Sequence, residues 1–184
     1  MGRMIAMIAP LLIGARPAAQ AEPAPQPGFV RHEVPGCNVT FEVATNLKPV
    51  ERAQAQTGIT LTRSNAYIAA GCHEKRLVPA QNLKEYAKWM SGFISSKSKW
   101  HANVAPLTAP AIQRSIGRQI TLANGVTADN KAQVTVMCFE STAAFYEVIY
   151  VSPVTMTPDE LVERDRFLAS IRFIDSSTPR ALAK

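Results

Sequence analysis

Apolar and polar side chains alternate from Cys37 to Val43. Cys37, Val39, Phe41 and Val43 share one face, and Asn38, Thr40 and Glu42 share the other. A period of two predicts a half-buried strand. Gly58–Thr62 and Ala66–Cys72 read as two further strands joined at Arg63-Ser64-Asn65. The period then changes. Leu83, Tyr86, Ala87, Met90, Phe93 and Ile94 recur at three- and four-residue spacing, which predicts an amphipathic helix over Asn82–Ile94. Asn82 caps it, with Glu85 completing the arrangement three residues on. Lys84, Glu85, Lys88 and Ser91 are left to water, and Tyr86 and Trp89 read as packing residues at the edge of the stripe.

Beyond this helix the strand pattern returns. His101–Val104 reads as a short strand and Ile112–Leu122 as a longer one, with Gly117 marking a bulge or a close backbone approach. Asn124-Gly125 and Asp129-Asn130 are turn signals. Gln133–Glu140 and Ala144–Val151 are rich in β-branched and aromatic residues, and Ser141-Thr142-Ala143 between them predicts a hairpin. Thr157-Pro158-Asp159-Glu160 is a capping box with proline at the first helical position. It predicts a helix to about Ala169 that buries Leu161, Phe167 and Leu168, followed by a closing strand Ile171–Ile174. Helices set against an antiparallel sheet make an α+β domain.

This order of elements resembles the PsbP-like superfamily. The resemblance is carried by Phe41 and Val43 on the first strand, Leu83-Lys84-Glu85-Tyr86 on the middle helix and Ser115-Ile116-Gly117-Arg118 leading into Gln119-Ile120-Thr121-Leu122. It continues through Phe145-Tyr146-Glu147-Val148-Ile149-Tyr150, the capped helix, and Phe167 to Phe173, so it spans about Phe29 to Ile174. The superfamily takes its name from an extrinsic subunit of photosystem II and includes a nuclear Ran-binding protein and small bacterial envelope proteins. The resemblance implies an α/β/α sandwich around an antiparallel β-sheet, and binding or accessory roles rather than catalysis. It supplies no site residue that matches a position here.

Residues 1–21 have the order of a cleavable export signal: Arg3, an apolar run Met4–Ala15, then Ala19-Gln20-Ala21. The run is too short for a membrane span, which needs about 20 residues. Residues 22–28 read as a proline-rich linker, residues 29–175 as one domain and residues 176–184 as a flexible tail. The expected location is periplasmic or secreted. Removing 21 of the 184 residues leaves 163, enough for a sizeable core.

Charge separates along the chain. Lys75–Lys131 carries nine bases and two acids, whereas Glu22–Glu74 has a net charge of −1 and Ala132–Lys184 of −2. A basic surface of this kind attracts an acidic partner. Lys97, Lys99 and Trp100 interleave cations with an aromatic ring, and Arg114 and Arg118 follow; these five are the expected contacts for a protein partner or an anionic envelope component. Nucleic-acid binding through this basic middle third suits the charge but not the compartment.

Three cysteines in an oxidising compartment allow one disulfide and leave one thiol. If Cys37–Val43 pairs antiparallel with Ala66–Cys72, Val43 faces Ala66 and Cys37 faces Cys72, with both sulfurs on one face. Cys72–Cys138 is the rival bridge; otherwise Cys138 is a buried thiol in an apolar run.

Cys72-His73-Glu74 invites a catalytic or metal-binding reading, but neighbours on a strand point to opposite faces, and no metal-ligand spacing is present. No catalytic residue, metal ligand or cofactor is assigned. His32 and His101 stand alone, and phosphate loops, nucleophile elbows and zinc-protease motifs are lacking. The leading expectation is a non-catalytic envelope protein that binds a partner. The alternative is a small secreted enzyme with a cleft around His73, Glu74 and Glu147. Mass spectrometry of the exported protein is expected to find Glu22 at the amino terminus; a product retaining Met1 would contradict the signal.

Overall fold

A computed structural model describes residues 28–50, 58–96, 101–107 and 120–174. The predicted segments 1–21 and 176–184, residues 22–27 of the predicted 22–28 linker, most of the Ile112–Leu122 strand with Gly117, and the five expected contacts Lys97, Lys99, Trp100, Arg114 and Arg118 lie outside the described residues.

The described strands form two antiparallel sheets. The larger has the order β3-β4-β5-β9-β8-β7-β6. Its strands are β3 (Lys48–Pro49), β4 (Gly58–Arg63), β5 (Ala66–Glu74), β6 (Asn103–Leu107), β7 (Ile120–Val126), β8 (Ala132–Glu140) and β9 (Ala144–Pro153). The smaller has the order β1-β2-β10, from β1 (Phe29–Val34), β2 (Val39–Ala44) and β10 (Arg172–Phe173). Helices α1 (Leu83–Ser96) and α2 (Pro158–Ser170) lie on opposite faces of the large sheet.

Strand alternation builds both layers. On β5, β8 and β9, the residues Ile68, Ala70, Cys72, Met137, Phe139, Tyr146, Val148 and Tyr150 face the small sheet and α2. Ala69, Val134, Val136, Cys138, Phe145 and Ile149 face α1. Central strands buried on both faces read as continuous apolar runs, as Val134–Phe139 does. The architecture is the expected α+β sandwich, with the small sheet added beside α2.

The disulfide is present, but the predicted ladder is not. Cys37 and Cys72 are bonded, with 5.7 Å between their Cα atoms. The strands that carry them do not pair: β2 lies between β1 and β10, and β5 between β4 and β9. Instead the small sheet packs face to face on the large one, and the bond spans the two layers. Both sequence segments present their apolar faces to the same core, so parity was right and edge pairing was wrong. Cys138 lies on the α1 face of the large sheet while Cys72 faces the small sheet, which separates the rival pair.

Other expectations also shift. The polar side of β2 is not solvated: Thr40 and Glu42 are buried. Asn124-Gly125 is no turn but part of β7, paired to Val104 and Ala105 of β6. A Cβ on Gly125 would meet the Asn103 carbonyl oxygen at 2.2 Å, so glycine permits the close approach of β6. The real turn holds Asp129 and Asn130, with Asn130 at a φ of 57°. The β6 strand begins at Asn103, because His101 sits at a φ of 45°. Leu161 and Phe93 are exposed, at 37% and 39%, rather than buried.

Removing the disulfide by Cys37→Ser with Cys72→Ser is expected to lower unfolding stability by about 3–4 kcal/mol, since the bond closes a loop of 35 residues. Urea denaturation of the oxidised protein and the double variant checks this. Equal midpoints would contradict it.

Candidate functional site

The polar groups of interest lie under and along α1. The helix forms where the sequence places it, and its first turn is closed as predicted. The Glu85 N–H donates to Asn82 Oδ1 at 3.0 Å, and the Glu85 carboxylate accepts from the Gln81 N–H and the Asn82 amide. Leu83, Tyr86, Met90 and Ile94 are the residues it buries. Tyr86 is wholly buried at the centre of this stripe, not at its edge. Its ring stacks on Phe145 of β9, with centroids 4.6 Å apart.

Beneath Tyr86 sits Glu147. On β9 it stands opposite Gly71 on one side and Cys138 on the other, so β5 offers no side chain there. The Tyr86 hydroxyl donates to Glu147 Oε2 at 2.5 Å. His73, two residues beyond Gly71 on the same face of β5, places Nε2 3.4 Å from Glu147 Oε1. Both carboxylate oxygens are therefore engaged within the protein. Trp89, one helical position past Lys88, sets its ring edge-on to His73 at 6.0 Å and beside Tyr86 at 5.6 Å.

Electrostatics follow from this packing. The hydrogen bond and charge of Glu147 raise the His73 pKa above its ordinary 6.5, against the opposing effect of burial. Burial first, and the neighbouring carboxylate second, push the Tyr86 hydroxyl well up, so it stays protonated and donates. The same two causes push up the Cys138 thiol, which is an inert group here rather than a nucleophile.

Of the triad proposed as a cleft, the structure joins His73 to Glu147 but not to Glu74. Glu74 is exposed and pairs with Arg76 at 2.5 Å. Cys72 is consumed in the disulfide and faces the other side of the sheet. His32 lies on the small sheet, 6.2 Å from the Phe41 ring, and partial burial lowers its pKa. No group of three or more metal-ligating side chains occurs among the described residues. No described helix is long and apolar enough to cross a membrane.

Outside α1 is an open groove of about 510 Å³, lined by Pro79, Glu85, Lys88, Trp89, Gly92, Phe93 and Ser96. Trp89 thus meets His73 on one side and the groove on the other. Sequence periodicity missed the groove because it assigned Phe93 to the buried stripe.

A second polar cluster was also not anticipated. Arg31 of β1 and Arg166 of α2 converge on Glu42 of β2, at 2.9 and 2.6 Å. The Glu42 N–H donates to Ser170 Oγ at 2.7 Å. Burial opposes the carboxylate charge, but the hydrogen bonds and charges of Arg166 and Arg31 prevail and hold its pKa below the usual range. This cluster ties α2 to the small sheet and is structural.

Comparison with solved structures bears on the fold alone. The solution structure of cyanobacterial PsbP (CyanoP) from Synechocystis sp. PCC 6803 superposes with a TM-score of 0.52 at 11% identity. It covers 85% of this chain and 99% of that one. The fold is PsbP-like. The Saccharomyces cerevisiae Ran-binding protein Mog1p is also similar, at 13% identity and a TM-score of 0.45, covering 81% of this chain and 97% of that one. No protein-family model matches the chain, and no curated protein matches it.

The His73–Glu147 pair has a defined pH signature. Because the folded-state pKa of His73 is raised, its stabilisation is fully present below 6.5, the ordinary value, and is lost as pH rises through the raised value. The melting-temperature difference between wild type and His73→Gln is expected to shrink from about pH 5 to about pH 9. A difference that stays constant over that range would contradict the pairing.

Proposed function

We propose that this chain is an exported, non-catalytic envelope protein that uses a rigid PsbP-like sandwich to present a binding surface to a protein partner. The observation that carries the reading is the outer face of α1. Trp89 and the 39%-exposed Phe93 line an open groove there, where a helix serving only its own core would place polar residues. The chain then runs directly from Ser96 into Lys97-Ser98-Lys99-Trp100.

Two further features support the reading. The Cys37–Cys72 bond suits an oxidising compartment, in keeping with residues 1–21 as an export signal. The polar groups under α1 also pair with one another: Glu147 accepts from Tyr86 and lies 3.4 Å from His73, contacts that fasten the helix to the sheet. Fold similarity alone assigns no function. The partner-binding role therefore rests on the groove and on the cations Lys97, Lys99, Arg114 and Arg118 with Trp100.

Crosslinking in cells followed by affinity purification tests the role. Replacing Lys97, Lys99, Arg114 and Arg118 together by Glu is expected to reduce recovery of the crosslinked partner about tenfold, the scale of charge reversal at an interface. Unchanged recovery would remove the basic surface from the function.

A further inference from the structure

We propose that the groove on the outside of α1 is the docking site for a short amphipathic, acidic segment of the partner protein. Apolar side chains of that segment would seat on Trp89 and Phe93, and its carboxylates would face the lysines of α1. The proposal rests on the partner-binding reading and names the class of partner.

Three observations on one helix converge on it. The first is the rigid apolar floor. Trp89 is backed by His73 and Tyr86, with ring centroids at 6.0 and 5.6 Å, so its ring is packed from within while it lines the groove. Preorganised aromatic anchors of this kind dominate protein interfaces.

The second is Gly92. Glycine within a helix is less favourable than alanine, because it loses more backbone freedom on folding. A Cβ at Gly92 would meet nothing within 4 Å. Internal packing therefore does not require glycine at this position, whereas any side chain there would project into the groove that Gly92 lines.

The third is charge. Glu85 also lines the groove and keeps its negative charge, since the Gln81 N–H and the Asn82 amide that its carboxylate accepts from are neutral. Lys84 and Lys88 are exposed and form no ion pair with a described residue. With Lys84 and Lys88 against Glu85, the net charge of α1 is positive, and a segment carrying Asp or Glu complements it. A basic segment lacks this complement.

The probes are two short labelled peptides with the same apolar pattern, one with Glu and one with Lys at the polar positions, together with phosphatidylglycerol vesicles. Binding to the full mature chain is read by fluorescence anisotropy, and the contact is mapped by amide chemical shifts. The Glu peptide is expected to bind at least about tenfold more tightly than the Lys peptide. Its affinity is expected to fall with added salt, with shifts centred on Trp89, Gly92 and Phe93. Gly92→Trp fills the groove and is expected to weaken it about tenfold. Gly92→Ala, which meets no neighbour and raises helix propensity, serves as the folded control and is expected to retain binding. Lys84→Glu with Lys88→Glu is expected to reverse the peptide preference.

Equal affinity for the two peptides would overturn the proposal. So would indifference to Gly92→Trp, shifts centred elsewhere, or binding to the vesicles without binding to the Glu peptide. If these fail while in-cell recovery still depends on the cations between Lys97 and Arg118, the groove is wrong and partner binding stands. If that dependence is lost as well, both fall.

Discussion

The packing of β2 across the large sheet governs this molecule. Val39, Phe41 and Val43 on β2 are at most 2% exposed, and they share one core with Ile68, Ala70, Val148 and Tyr150 of the large sheet. Phe167 of α2 closes the same core, edge-on to Phe41 at 5.2 Å and stacked on Tyr150 at 5.4 Å. The small sheet and α2 thus share one apolar interior with the large sheet. The Cys37–Cys72 bond ties the two layers covalently at one end, and the Arg31–Glu42–Arg166 cluster fastens α2 to the small sheet.

This arrangement divides labour between the two faces of the large sheet. One face is committed to the interior, with its residues covered by β2 and α2. The other carries a single described helix, α1, whose inner stripe is anchored by Tyr86 on Phe145 and Glu147. A helix pinned so firmly from below can keep apolar side chains on its outer side without losing its seat. Phe93 and Trp89 are available at a surface because Leu83, Tyr86, Met90 and Ile94 already supply the packing.

Local chemistry was legible in the sequence and long-range partnership was not. The start of α1 at Asn82 and Glu85, the capping box of α2, and the Ser141 hairpin all depend on residues within a few positions of one another. The face that Cys37 and Cys72 share was also readable, since alternation fixes which face a side chain takes, but the bridge itself was not, with Cys72–Cys138 left as a rival. The ladder was not, because two strands can share a core by facing across it as well as by pairing edge to edge. The β1 strand escaped notice, as its mixed burial leaves no clean alternation. Gly125 looked like a turn residue because the Asn103 carbonyl that requires it comes from another strand. The Tyr86–Glu147 bond joins residues 61 positions apart, and Arg166 reaches Glu42 across 124; no spacing rule reveals either. The five expected contact residues lie outside the described structure, so the binding surface rests on sequence for its charge and on α1 for its shape.

Amide hydrogen exchange with and without reductant tests the two-layer organisation most directly. With the disulfide reduced, protection should fall first and together in β1, β2, β10 and α2, while β8, β9 and the inner side of α1 stay protected. That pattern reports a small sheet held onto the large one at the Cys37–Cys72 end, with α1 anchored separately. A uniform loss of protection across both sheets, or loss confined to α1, would contradict it.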